Sequence, residues 1–213
     1  MRSLNVAAAV LLAGALLWCA PAGAQESTLT KVLQSGKLRV GTTGDWNPMS
    51  MKNPATGGYT GFDIDVMAEL ASDLGVEVEF VPTDWKTLVP GIVADKYDIS
   101  TSASITAQRI RSAGFTDSYY TLGTVPLTLK ENADRFTSWE SINQEGVTVA
   151  VLLGTSQEQQ AKSLFPKATI RAIEPPAVAF QEVLARRGAF DDVDAAIMVH
   201  PYPADVADQV ADP

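Results

Sequence analysis

Three observations predict an α/β fold in which mainly parallel sheets carry helices on their faces. From Leu38 to Ile99 the patterns alternate as strand, helix, strand, helix, strand, the order that builds βαβ units. A second unit opens with Val147-Thr148-Val149-Ala150-Val151-Leu152, a nearly continuous apolar run of the kind shown by a strand buried on both faces. Between the two units, Val125 to Lys130 reads as a strand, and the preceding Gly123 with Pro126 suits a crossing from one lobe to another.

Residues 1–24 read as a cleaved secretory signal outside the fold. Arg2 supplies the positive start, Val6 to Leu17 the apolar core, and Ala22-Gly23-Ala24 the small-residue cleavage site before Gln25. The apolar run is too short for a membrane span, which needs roughly 20 residues, and no later segment approaches that length. Lipidation of Cys19 is the alternative, although Trp18 stands where a small residue is expected. Cleavage after Ala24 removes the single cysteine. No disulfide framework is then expected, and an oxidising compartment such as a bacterial periplasm suits the remaining chain of about 190 residues.

Leu38 to Thr43 alternates and breaks at Gly44-Asp45, the pattern of a strand delivering a loop, with Trp46 at its tip. Asn47-Pro48 and the stretch from Asn53-Pro54 to Gly57-Gly58 are turn chemistry and predict a hairpin over the strand end. After Gly61, residues Val66, Met67, Leu70, Ala71 and Leu74 recur at helical spacing until Gly75 stops the helix. Asp63 and Asp65 at its start predict capping and dipole matching rather than a metal pair, since no third ligand is near in sequence. Val76, Val78 and Phe80 alternate with Glu77 and Glu79 as a second strand, and Thr83-Asp84 predicts the cap of a short helix through Trp85, Leu88 and Ile92. Ligands of parallel α/β sheets bind at the carboxyl ends of strands. Trp46, Trp85 and the loop after Ile99 all fall at such ends and predict one shared rim.

That loop carries Ser100, Thr101, Ser102 and Ser104, and Thr106 is placed to cap a helix with Arg109 in its first turn. A guanidinium can hold a carboxylate through two parallel hydrogen bonds, and hydroxyls beside it fill the remaining lone pairs. The segment predicts a pocket for a small anion; a polar loop with a solvated arginine is the alternative.

Past the crossing, the polar stretch Glu131 to Gln144 predicts an exposed connection. The buried-strand run ends at Gly154-Thr155-Ser156-Gln157, and Glu158 to Leu164 has helical character. A glycine turn opening a helix offers free N–H groups to an anion, although an ordinary strand-to-helix turn reads the same way. Ala168 to Ala172 predicts a short strand, Val178, Phe180, Val183 and Leu184 a helix, and Ala195 to Val199 a buried strand, whereas 201–213 shows little pattern.

Sixteen Lys and Arg against 25 Asp and Glu leave a net charge of −9. This argues against nucleic acid or an anionic membrane surface as partner, because neither would meet a basic patch. With one histidine in the chain, His-based nucleophilic catalysis has little to work with. No catalytic residue, metal ligand or cofactor is assigned.

With these residues in view, the chain resembles the family 3 periplasmic solute-binding proteins that feed polar amino acids to ATP-driven importers. GTTGDWNP, GFDIDVMAEL, PTDWKTLVPGI, DISTSASITAQR, FTDSYY and LGTSQE carry the resemblance, in family order from about Leu38 to Leu184. It implies a type II periplasmic-binding-protein-like fold, two α/β lobes hinged around a ligand. Its divisions are a signal peptide at 1–24, a first lobe at 25–124, and a second lobe at 125–213 that stops before a return to the first. It implies aromatic walls at Trp46 and Trp85, contacts from Thr101, Ser102 and Ser104, and a carboxylate clamp at Arg109. Ser156 and Gln157 match the helix start that closes on the same carboxylate. The expected protein is a periplasmic monomer that captures a small carboxylate-bearing solute, a polar amino acid, and docks on a membrane permease.

An enzyme on the same fold, secreted cyclohexadienyl dehydratase, is similar to the chain in TTGDW and around PTDW. That resemblance implies prephenate or arogenate as substrate and a glutamate proton donor in the second-lobe turn, where this chain has Gln157. An amide delivers no such proton, and the neighbouring Glu158 would point elsewhere on a helix. The family's ammonium-binding aspartate falls on Val199, followed by His200, so a ligand without an α-amine is also expected to suit the site. From about Gly188 the family-like sequence gives out, which is expected to leave apolar first-lobe surface uncovered.

Overall fold

A computed structural model describes residues 26–175, 179–185, 193–199 and 210–211. The signal-like segment 1–24 with Cys19, and likewise Val178, His200 and most of 201–213, lie outside the described residues.

Helix α1 (Thr28–Ser35) is capped by Ser27, whose hydroxyl accepts the Thr30 N–H, and it buries Val32. Strand β1 (Lys37–Thr42) follows. It is flanked in parallel by β5 (Glu77–Pro82) and β6 (Ile99–Ser100), giving a sheet ordered β5-β1-β6. The crossovers are α2 (Phe62–Leu74) and α3 (Leu88–Val93). Met67 and Ala71, one helical turn apart on α2, pack with Val32, Leu38 and Val40, as the apolar spacing predicts. Tyr97 ties α3 to β1: its ring fills the space above Gly41 and Gly91, where an added Cβ would lie 2.6 and 2.1 Å away. Its hydroxyl donates to the Leu88 carbonyl at 2.6 Å. Between β1 and α2, the expected hairpin is a three-stranded antiparallel meander of β2 (Asp45–Trp46), β3 (Ser50–Lys52) and β4 (Tyr59–Thr60).

The second sheet contains β7 (Thr124–Leu129), β8 (Thr148–Leu152), β9 (Thr169–Ile173), β10 (Ala195–Val199) and β11 (Val210–Ala211), ordered β11-β7-β10-β8-β9. β8 runs parallel to β9 and β10, while β7 is antiparallel to β10 and β11. Two helices, α5 (Ser156–Leu164) and α6 (Ala179–Ala185), cover its two faces. Val149 and Val151 of β8 pack with Ala161 and Phe165, while Ala150 between them packs with Ala179 and Val183. Alternate side chains of a strand point to opposite faces, which is why the run is apolar throughout. The architecture is the two-sheet α/β fold expected from the sequence.

Four local readings are corrected. The stretch Glu131 to Gln144 is not simply an exposed connection: it holds α4 (Trp139–Ile142), and Phe136 and Ile142 are fully buried against Val147 and Val149. The last described residues form strand β11 rather than patternless tail. Thr83-Asp84 does not cap α3, which starts at Leu88. Asp84 instead accepts the Thr87 N–H at 2.8 Å and shapes the turn that holds Trp85. Asp63 does not cap α2, whose N-cap is Gly61; its carboxylate goes elsewhere. Among the described residues no helix is long and apolar enough to cross a membrane.

Candidate functional site

The site lies where the carboxyl ends of β1, β5 and β6 meet the start of α5. On the meander, Trp46 presents its ring edge-on to Trp85, centroids 5.7 Å apart at 69°, a favoured aromatic geometry. Trp85 is buried, and its Nε1–H is shared between both carboxylate oxygens of Asp45 at 3.1 Å each. The polar edge of this indole is thus satisfied within the chain.

The loop after β6 turns sharply. Thr101 is buried, and Ser102 takes a left-handed backbone conformation with φ of +63°. The Ser102 hydroxyl donates to the carboxylate of Asp63, a residue with no exposed surface, and the Tyr119 hydroxyl donates to the other oxygen at 2.9 Å. Burial, then the Asp63 charge and hydrogen bond, push the Tyr119 phenol well above its ordinary value. Two residues beyond Ser102, the Ser104 carbonyl accepts from the Arg109 guanidinium at 3.2 Å. Thr106 is not the expected helix cap: its Oγ1 accepts the Arg109 N–H at 3.2 Å, but the helix is one 3-10 turn, Arg109–Arg111, whose N-cap is Gln108 with no side-chain cap bond.

Arg109 is half-buried, and burial holds its pKa below the usual guanidinium value. Its second terminal nitrogen donates to the Gly154 carbonyl at 3.3 Å. Both side-chain bonds go to carbonyls, and among the described residues no carboxylate lies within ion-pair distance of it. A guanidinium has five N–H donors, so this one keeps capacity for an anion.

Gly154 has φ of +80°, and a Cβ there would meet the backbone of Lys86 at 2.6 Å. Only glycine meets both demands. The turn into α5 is less open than the sequence implies: the Glu158 carboxylate accepts the Gly154 N–H at 2.7 Å, and Thr155 accepts the Glu158 N–H at 3.2 Å. The Ser156 hydroxyl reaches Ser104 Oγ at 3.0 Å and Gln157 Oε1 at 3.2 Å. Gln159 donates to Gln108 at 2.7 Å. Glu158 is further engaged by Lys162 at 2.6 Å. Burial pushes its pKa up, but the Lys162 and Gly154 hydrogen bonds and the Lys162 charge together hold it below the ordinary carboxylate value.

A cavity of about 930 Å³ opens beside these contacts, lined by Trp46, Ser102, Ser104, Ser156 and Gln157, with Met67, Leu70 and Tyr119 among its other walls. Five of the eight expected site residues therefore share one space. Arg109, Trp85 and Thr101 are not among the residues that line it: Arg109 meets the same loops through the Ser104 and Gly154 carbonyls, and Trp85 and Thr101 are buried. Val199 ends β10 opposite Thr124, and His200 is beyond the described residues. Sequence reasoning did not find the Asp63–Ser102–Tyr119 cluster or the Asp45–Trp85 pair, whose partners are 39 to 56 residues apart. Asp63 carries a sequence signal, an acid at a helix start, which reads as a cap.

The family model of bacterial extracellular solute-binding proteins, family 3, matches residues 38–197. Cyclohexadienyl dehydratase of Pseudomonas aeruginosa is 40% identical over 171 residues, 80% of this chain and 63% of that protein. The glutamine-binding protein of Geobacillus stearothermophilus is 31% identical over 179 residues, 82% of this chain and 67% of that one. Among solved structures, the ancestral amino acid-binding protein AncCDT-1, a precursor of cyclohexadienyl dehydratase, is 44% identical with a TM-score of 0.79, covering 87% of this chain and 80% of that one. A second structure of AncCDT-1, described as an ancestral cationic amino acid solute-binding protein, gives a TM-score of 0.63 at 44% identity over 87% and 79% of the two chains. The chain spans about 40% to two thirds of the length of the curated relatives it matches.

Proposed function

Because the chain belongs to the bacterial extracellular solute-binding proteins of family 3, we propose that it captures a small carboxylate-bearing solute, a polar amino acid, for a periplasmic ATP-driven importer. The ligand is held between a first lobe at 25–124 and a second at 125–213, and the closed form docks on a membrane permease. The observation that carries this reading is Arg109, half-buried and bonded to the Ser104 loop that lines the cavity, with both side-chain bonds on carbonyls and no carboxylate partner among the described residues. A ligand carboxylate supplies that partner, and desolvation makes the pairing stronger than it would be on the surface. Ser104 and Ser156 approach the same space from the two sheets, so a ligand touching both favours the closed form. The identity to AncCDT-1 supports a cationic amino acid as the first ligand to try.

The second reading is dehydration of prephenate or arogenate, favoured by 40% identity to the Pseudomonas enzyme. The side chains at the α5 start speak against it. Gln157 lines the cavity but offers an amide, and Glu158 is tied to Lys162 and Gly154 with a lowered pKa, the opposite of what a proton donor needs.

A thermal-shift panel separates the readings. The protein is screened with the twenty L-amino acids, their 2-oxo acids, prephenate and arogenate. A ligand at about a hundred times its Kd adds roughly 2.7 kcal/mol, a shift of a few degrees for a chain of this size. A shift confined to amino acids supports capture with the α-amine retained, and one confined to 2-oxo acids fits Val199 at the β10 end. Phenylpyruvate formed from prephenate above its spontaneous rate would establish the enzyme instead.

A further inference from the structure

Asp63 sits in the first turn of α2 with no exposed surface, and each of its oxygens takes one hydroxyl hydrogen bond, Oδ2 from Ser102 and Oδ1 from Tyr119. A carboxylate is costly to bury unless its oxygens are bonded, so these two hydroxyls account for its place in the interior. The consequence for Ser102 is the more informative one. A serine at φ of +63° brings its Cβ too close to the following carbonyl, and such a conformation persists where something holds it. The Asp63 bond is that hold. The turn it maintains delivers Ser104, two residues on, with its carbonyl toward Arg109 and its hydroxyl toward Ser156.

We propose that Asp63 is a positioning residue for the ligand site: it fixes the left-handed turn at Ser102, and through that turn sets Ser104 against both Arg109 and Ser156, without touching the ligand. Tyr119 closes the arrangement from the segment that leads to β7, occupying the second oxygen so that the carboxylate cannot rotate away from Ser102. The inference rests on the amino-acid-capture reading above and names what sets its geometry.

The test uses L-arginine as probe, with affinity measured by calorimetry on the full chain. Ser102→Gly loses the hydroxyl but needs no support at positive φ, whereas Ser102→Ala loses the hydroxyl and keeps the Cβ. Because only Ser102→Ala carries the left-handed cost of a Cβ, Ser102→Gly is expected to bind L-arginine about tenfold more tightly than Ser102→Ala. Asp63→Asn is expected to weaken binding by about tenfold in the parent, and by less than about threefold in the Ser102→Gly background, because the turn no longer needs holding. Equal affinities of the two Ser102 variants, or an equal Asp63→Asn loss in both backgrounds, would overturn the positioning role. The first comparison stands even where Asp63→Asn fails to fold. No response of the parent to L-arginine would overturn the cationic-ligand reading and this inference with it, an outcome distinct from binding that ignores the Ser102 substitutions.

Discussion

The Ser156 hydroxyl, at the start of α5, donates to the Ser104 hydroxyl across 3.0 Å and joins the five-stranded sheet's helix to the loop of the three-stranded sheet. With Arg109 on the Gly154 carbonyl and Gln159 on Gln108, it is one of three side-chain hydrogen bonds between the two halves among the described residues. A neutral hydrogen bond contributes about 1 kcal/mol net. Ser156→Ala is therefore expected to weaken ligand binding by about three- to tenfold while leaving the unliganded melting temperature within about two degrees. Calorimetry beside a thermal melt reads both quantities.

Gly154 sets how closely the halves approach. An alanine there is strained at φ of +80° and meets the Lys86 backbone at 2.6 Å. Backbone cannot swing aside as a side chain does, so the clash opens the interface. Gly154→Ala is expected to cost about 1–3 kcal/mol and to enlarge the radius of gyration in solution scattering. A stability loss with no change in size would assign the whole effect to local strain.

The Arg39–Asp98 pair gives the fold a pH dependence. Asp98 accepts the Arg39 backbone N–H at 2.9 Å and side-chain bonds at 2.7 and 3.1 Å. Burial pushes its pKa up, but the Arg39 hydrogen bonds and charge prevail and hold it below the ordinary value. A carboxylate depressed in the folded state stabilises fully above its unfolded value of about 3.9, and that contribution is lost as pH falls through the folded value. Parent and Asp98→Asn should differ most in melting temperature near neutral pH and converge in acid as the lowered folded-state value is crossed. A difference that stays constant through the acid range would place the effect in packing rather than charge.

The architecture was legible because periodicity carries it. Val149, Ala150 and Val151 form an unbroken apolar run since each face of β8 has its own helix, and the α2 stripe with Met67 and Ala71 repeats every turn. Buried residues inside polar stretches were not legible. Phe136 and Ile142 sit in a run dominated by Asp, Ser, Glu and Asn, and tertiary packing alone buries them. In the site, the residue types after β6 pointed to Arg109 and its hydroxyl neighbours. The roles of Asp63 and Trp85 followed from partners 39 and 40 residues away. Nothing local separates an acid that caps a helix from one that reaches a distant serine, nor a wall tryptophan from one bonded to an aspartate.

Calorimetric titration of the parent and Arg109→Ala with the amino acid selected by the panel tests the central claim most directly, since Arg109 has no carboxylate partner among the described residues and is bonded to Ser104 of the loop that lines the cavity. Losing a charge-assisted bidentate contact in a partly buried site is expected to cost about 3–5 kcal/mol, a fall in affinity of at least a hundredfold. Arg109→Lys should recover part of it, because a single ammonium keeps the charge but not the fork. Affinity within about threefold of the parent in Arg109→Ala would contradict the account, leaving a ligand held without the carboxylate clamp.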